Sequence, residues 1–402
     1  MATDHQTEQS TQPDPSIMPH GGELKILTVP TEQRSEAHEK ASRLHQLALT
    51  SRECADLVML GCGAFSPLTG FMTREDYQSV VESMRLCSGV LWPLPVCLAV
   101  SEAQARSMKV GEDVALVGPN AKDIIGTLCV EDIYPYDPRR EATCVYSTND
   151  EAHPGVAALQ RQRPMYVGGT VTTFSERGDF ARFSEFLVPK ETRDEFASRG
   201  WKSIVAFQTR NPMHRSHEYL TKVALEICDG LLVHPTVGQL KKGDLPADLR
   251  LRCYRALIDN YYPRDRVLLS VYPLEMRYAG PREALLHAII RQNFGCTHII
   301  IGRDHAGVGS YYDPFAAHAV FDELGQGDLR IKPLKMDWTF WCRKCGAVAS
   351  FKTCPHSKED RLLISGTALR QMLSEGERPP EPYSRPEVLD ILMDFCRDRT
   401  PG

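Results

Sequence analysis

No stretch of the 402-residue sequence approaches the roughly 20 consecutive apolar residues that a membrane-spanning helix requires. A basic excess is missing too. Lys and Arg number 47 against 52 Asp and Glu, a formal charge of −5, so there is no general nucleic-acid footprint and positive charge must be concentrated in a site. Residues 1–20 carry Asp4, Glu8 and Asp14 and no apolar stretch, which rules out a secretory signal and predicts a cytoplasmic protein. Internal repeats are absent. Hydrophobic residues at 42% and charged residues at 25% are ordinary for a soluble globular chain, and the length predicts two or three domains, each with its own core. Cysteine is plentiful at 13, but most cysteines sit singly in apolar segments, as Cys97 and Cys228 do. In a reducing compartment these read as small buried hydrophobes rather than disulfide partners. Cys342, Cys345 and Cys354 are the exceptions.

Along the chain, residues 1–20 are polar and predict a disordered tail. Residues 21–190 have a β-rich texture, with strands expected at Leu91–Val100, Asp113–Gly118 and Gly126–Ile133 and with recurrent Pro and Gly between them. Within this part Phe65–Met72 reads as a tight, aromatic-flanked turn that signals packing. A charged, helix-prone connector spans Pro189–Trp201. From 191 to 335, buried strands (Leu231–Thr236, Val267–Tyr272, Thr297–Ile301, Leu329–Leu334) alternate with helices. An amphipathic helix is expected at Arg282–Asn293 and another helix at Asp313–Leu324. That alternation predicts an α/β domain with a parallel sheet. Residues 336–402 form a small C-terminal region.

The stretch Ser203–Ile227 organises the rest. Ser203–Phe207 is a β-branched apolar run, and Pro212 blocks continuation of the strand. Apolar residues at Leu220, Val223, Ala224 and Ile227 then recur at helical spacing. In a strand–loop–helix unit the loop lies at the carboxyl end of the strand, and the helix start points free N–H groups at whatever binds there, usually an anion. This loop supplies Gln208, Arg210 and Asn211, and His214 and His217 lie one turn apart on one helix face, able to donate to phosphate oxygens. Each residue alone reads as a solvated helix start; together they predict a phosphate site. A second strand end, Ile299–Gly309, carries Gly302, Arg303, Asp304, His305, Gly307 and Gly309, where backbone N–H groups can approach a ligand closely. Two such loops on one sheet predict a two-sided nucleotide crevice. Arg277 and Arg282, flanking Gly280–Pro281, read either as phosphate clamps or as surface cations; the spacing does not separate these.

Cys342-x-x-Cys345 followed by Cys354-x-His356 matches zinc-ligand spacing, with the fourth ligand open and His356 the candidate. A redox disulfide is the weaker reading, because no helix starts at the first cysteine.

The segment Gln208–Glu218 resembles the signature of the ATP sulfurylase (sulfate adenylyltransferase) family. Gly302–Gly309 is similar to that family's second signature, and Arg277–Glu283 and Pro67–Met72 are similar to further family segments, in order along nearly the whole chain. The resemblance implies a PUA-like N-terminal domain, a Rossmann-like nucleotidyltransferase domain and a small C-terminal α/β region. It implies a reversible transfer in which ATP and sulfate give adenosine 5'-phosphosulfate and pyrophosphate, with Mg2+ accompanying ATP. A homodimer or higher homo-oligomer is implied, with no nucleic-acid or membrane partner. Carried onto this chain, it makes Thr209, Arg210 and Asn211 catalytic, with His214 and His217 on the phosphates. Gln208, Arg210 and the Ala306 backbone would bind sulfate. Gln208, Asn211, His214, His217, Gly302, Arg303, Asp304 and His305 would hold ATP, and Asp337 would contact adenine. Longer members append a kinase domain with its own phosphate loop, and none is expected here. Some members carry a similar zinc knuckle. The alternative is another ATP-dependent nucleotidyltransferase with a different acceptor; an RNA-binding module is disfavoured by the charge of −5.

Overall fold

Alternate residues along the strands of the second half face opposite ways, and the computed structural model shows what each face meets. It describes residues 17–119, 123–239, 244–363, 369, 371–373 and 375–397. Five strands, β8 (Ile204–Thr209), β9 (Gly230–Pro235), β10 (Val267–Leu269), β11 (His298–Ile301) and β12 (Lys332–Lys335), form an all-parallel sheet in the order β10-β9-β8-β11-β12. Ile204, Ala206, Leu232, Ile299 and Ile301 face one apolar cluster, in which Ala284, Ala288 and Trp201 cover them. Val205, Phe207, Leu231, Val233 and Ile300 face the larger core, which continues into the N-terminal half. Burial on both faces is why these strands read as continuous apolar runs instead of alternating ones.

The N-terminal half is a seven-stranded mixed sheet of β1 (His45–Ala48), β2 (Gly70–Phe71), β3 (Leu98–Val100), β4 (Asp113–Val117), β5 (Ile124–Cys129), β6 (Asp132–Pro135) and β7 (Met165–Thr173). Long β7 is its hub, pairing with β2, β3, β5 and β6. In the third unit, β13 (Thr339–Cys342) pairs antiparallel with β14 (Ala347–Ser350) on one side and β15 (Arg361–Leu363) on the other. The terminal helix Pro386–Arg397 returns to bury Val388, Leu389 and Leu392, packing on the helix Ala247–Tyr261.

Several sequence expectations are corrected. Of the tail expected at 1–20, residues 1–16 lie outside the described residues, but His20 is buried, with Nε2 2.6 Å from the Leu91 carbonyl and its N–H bonded to Asn293. The strand expected over Leu91–Val100 forms only at its end, since Pro93 and Pro95 have no N–H to give. Gly126–Ile133 is split between β5 and β6. The helix expected at Asp313–Leu324 is a single turn, Ala316–Ala319. The helix Pro281–Asn293 is not amphipathic: Glu283 through Asn293 are all buried, and its polar residues are spent on interior contacts. Cys228 is buried but Cys97 only half so, and no disulfide occurs among the described residues. No described helix is long and apolar enough to cross a membrane.

Candidate active site

The chain leaves β8 toward β9 and β10 on one side, then jumps back to lay β11 and β12 on the other. Loops leaving β8 and β11 at this reversal must diverge to opposite faces, which opens a crevice at the carboxyl ends of the two strands. A cleft of about 580 Å³ lies there. Of the residues singled out from the two signatures, Gln208, Thr209, Arg210, Asn211, His214 and His217 of the first loop and Gly302, Arg303, Asp304, His305, Ala306 and Gly307 of the second line it, and Gly309 does not. Asp337 lines it as well, with Trp338 and Thr339, so the entry to β13 supplies a third wall.

The first loop is held by its own short bonds. Thr209 Oγ1 accepts from the Asn211 N–H at 3.1 Å and donates to the Asn211 carbonyl at 3.0 Å, and the Tyr254 hydroxyl donates to that same carbonyl. The Thr209 hydroxyl is therefore a turn former here. Arg210 lies over the Tyr278 ring, 4.8 Å from its centre, with one nitrogen 3.9 Å from Met276 Sδ. Arg303 stacks over Trp338 at 4.0 Å. Among the described residues no carboxylate pairs with either guanidinium. These two aromatic platforms fix a cation without neutralising it.

His214 caps the helix Arg215–Leu225, and its ring stacks on His217 with centres 3.7 Å apart. His214 Nδ1, His217 Nδ1 and Ser216 Oγ are buried with no hydrogen-bond partner. Burial drives His214 well below the usual imidazole range and His217 down to about 4, so both are neutral at pH 7. Unpartnered polar atoms at a helix start, beside unpaired guanidinium groups, fit an anionic ligand that completes them. The second loop turns through left-handed backbone at two residues other than glycine, Asp304 (φ 52) and Ala306 (φ 59), and the Gly280 N–H holds the Ala306 carbonyl. Gly302 faces open space, which allows close approach to its backbone. Buried His305 is lowered to about 3, chiefly by desolvation.

Arg277 and Arg282 are neither clamps nor surface cations. Arg277 is buried and donates through Nη2 to both Asp56 oxygens, while Arg282 donates to the carbonyls of Val80, Val81 and Pro93, so both join the parallel-sheet half to the N-terminal half. Sequence reasoning missed Tyr278, Met276, Trp338 and Ser216. Ser216 lay within the Gln208–Glu218 signature, and Met276 and Tyr278 flank the Arg277 already noted, but none was given a role; the left-handed φ of 62 at Tyr278 appears only in the fold. His153 Nε2, 3.1 Å from the Tyr278 carbonyl, supports that residue from the N-terminal half.

Cys342, Cys345, Cys354 and His356 come together with their ligand atoms within 4.8 Å of one another. Cys345 and Cys354 sulfurs are 3.8 Å apart, and His356 Nδ1 lies 3.3 Å from the Cys342 and Cys345 sulfurs and 3.7 Å from that of Cys354. A tetrahedral zinc ion with ordinary bond lengths sets sulfurs about 3.8 Å apart and sulfur to nitrogen about 3.6 Å apart. The four donors fit such an ion, with His356 Nδ1 as the candidate fourth donor.

Comparison with known proteins agrees with this architecture. The family model described as ATP-sulfurylase matches residues 185–395, and that of a PUA-like domain matches residues 17–176. A sulfate adenylyltransferase of Desulforamulus reducens is 51% identical over 94% of this chain and 98% of its own length. One of Symbiobacterium thermophilum is 54% identical over 94% and 96%. A solved structure described as a hexameric APS kinase from Thiobacillus denitrificans superposes with a TM-score of 0.73 at 27% identity, covering 94% of this chain and 68% of that one. With a cleft built from both signature loops and near-full-length relatives at about half identity, this chain belongs to the ATP-sulfurylase, or sulfate adenylyltransferase, family.

Proposed function

We propose that the cleft is where this sulfate adenylyltransferase joins sulfate to the adenylyl group of ATP, releasing pyrophosphate, by in-line attack of a sulfate oxygen on the α-phosphorus. The observation that carries this assignment is the convergence of two unpaired guanidinium groups, Arg210 and Arg303, with the unpartnered His214, Ser216 and His217 on one cleft.

Sulfate is already ionised, so attack needs no general base. The reaction needs in-line placement and donors around the charge that spreads over the phosphate oxygens. Arg210, at the centre of the first loop, sits between the two substrates, with Gln208 and the Ala306 backbone beside it for sulfate. Asn211, His214 and His217 donate to the phosphates; because both imidazoles are neutral, each contributes an N–H and no full charge. Thr209 acts through the turn it closes. Gly302 to His305 hold the nucleotide from the facing loop, with Asp337 at the adenine end. ATP enters as its magnesium complex, the ion offsetting phosphate charge.

Cys342, Cys345, Cys354 and His356 hold a structural Zn2+ that ties the end of β13, the β13–β14 turn and the 354–356 turn together. Thr339, which lines the cleft, and Cys342 lie on the same short strand, so the ion steadies a wall of the site. The reading also includes a cytoplasmic homo-oligomer.

Pyrophosphate release from Mg–ATP, measured with and without sulfate, tests the assignment, with molybdate as a substitute oxyanion whose unstable adenylate drives turnover. Release should depend on either anion and be lost in Arg210→Ala. Independence from both in a folded protein would refute the acceptor.

A further inference from the structure

Behind the second loop lies a polar group that none of the roles above uses. His287, fully buried on the helix Pro281–Asn293, places Nδ1 3.0 Å from Nε2 of His305, the cleft-lining histidine. Its other nitrogen, Nε2, is buried without a hydrogen-bond partner and lies 3.8 Å from Glu283 Oε1. Glu283 is itself fully buried, and both its oxygens accept backbone bonds, Oε1 from Arg277 at 2.9 Å and Oε2 from Ala279 at 3.1 Å. Burial pushes this carboxyl up, and the two backbone donors, with the Arg277 and Arg210 charges, oppose that and favour the ionised form.

A 3.0 Å contact between His287 Nδ1 and His305 Nε2 requires one proton between them, and either ring can carry it. If His287 donates, its Nε2 lone pair faces the Glu283 carboxylate in a low-dielectric interior, an unfavourable opposition. If His287 instead carries its proton on Nε2, the N–H points toward the carboxylate and Nδ1 is free to accept from His305. The second arrangement wins on electrostatic grounds. Burial, with Arg291 and Arg277 nearby, keeps His287 from holding both protons. His305 then carries its proton on Nε2, inside, and its remaining nitrogen, Nδ1, keeps a lone pair.

We propose that His287 is a positioning residue that fixes the tautomer of His305, so that His305 meets the nucleotide as a hydrogen-bond acceptor, for a hydroxyl or amino group, and not as a donor to phosphate. The inference rests on the nucleotide site assigned above, and it divides the labour within the cleft: phosphate donors on the first loop, an acceptor for the nucleoside on the second.

Ring-nitrogen NMR of the full-length protein, labelled at histidine, reads the tautomers directly and needs no substitution. The expected result is a protonated Nε2 and bare Nδ1 on His305, reversed or mixed in Glu283→Gln. A wild-type His305 protonated on Nδ1 overturns the proposal. In kinetics, His287→Leu is expected to raise the KM for Mg–ATP about tenfold with kcat within about twofold, the loss of one buried hydrogen bond. His287→Asn, whose amide oxygen can accept in place of Nδ1, should restore most of that loss. Adding His305→Ala to His287→Leu should cost nothing beyond the larger single effect; additive losses, or a change in thermal stability with KM unmoved, overturn the positioning role. Absence of sulfate-dependent pyrophosphate release in the wild type would instead refute the catalytic assignment and leave the tautomer result standing.

Discussion

Arg277 and Asp56 join the two halves of the molecule through an ion pair in which one guanidinium nitrogen, Nη2, donates to both carboxylate oxygens, at 2.8 and 2.6 Å, with both side chains almost completely buried. Arg277 directly precedes Tyr278, the ring beneath Arg210, so this domain contact is one residue from the proposed site. Removing one partner leaves a bare charge in the interior. Asp56→Ala is expected to cost about 3 to 5 kcal/mol in urea unfolding and to lower turnover as Arg210 loses its platform. Asp56→Leu combined with Arg277→Met should cost clearly less; equal losses would show that the ion pair itself is not what matters.

Arg210 itself pairs with no carboxylate among the described residues, so its removal should spare the fold. Arg210→Ala is expected to keep the wild-type melting temperature to within a degree or so while kcat drops roughly a hundredfold or more, the usual effect of removing one donor to developing charge. Arg210→Lys should not recover the rate, because a point charge cannot reproduce a planar fork stacked on an aromatic ring. Near-normal turnover in either variant would count against the assigned role.

The buried histidines make stability depend on pH in a definite direction. His217 is lowered to about 4 and His305 to about 3, against about 6.5 for the unfolded chain. With folded values depressed, the unfolded state takes up protons first. Stability is thus fully present above about pH 6.5 and is lost as pH falls toward 4 and then 3. Thermal melts across this window should show the decline, and His305→Asn should make it shallower. Pyrophosphate, by supplying negative charge beside His217 of the first loop, should bind with proton uptake as pH falls toward 4, which calorimetry in buffers of different ionisation enthalpy detects.

Cys345→Ser should abolish bound zinc, measured by elemental analysis, and lower thermal stability of the C-terminal sheet. Because β13 carries Thr339 as well as Cys342, KM for Mg–ATP should rise too, while kcat changes little. Undiminished zinc content would show that the four side chains are not its ligands.

What the sequence determined by itself was local. A strand that must stop at Pro212, a helix period resuming after it, and donors crowded between them are written in neighbouring residues, and so is the knuckle spacing of Cys342 and Cys345. The parallel sheet was legible for the same reason, since strands buried on both faces must be apolar throughout. Tertiary structure decided everything that depends on what a side chain meets across the fold. Arg277 and Arg282 carry the same charge as Arg210 and Arg303, and no spacing tells that Asp56 and the carbonyls of Val80, Val81 and Pro93 consume the first pair while aromatic rings hold the second pair open. The helix Pro281–Asn293 carries Glu283, His287 and Arg291, which imply a wet face, yet the fold surrounds it completely. Charge is a property of the residue, but its availability to a ligand is set by partners distant in sequence, and burial is the main reason that three histidines lining the cleft are neutral hydrogen-bonding groups.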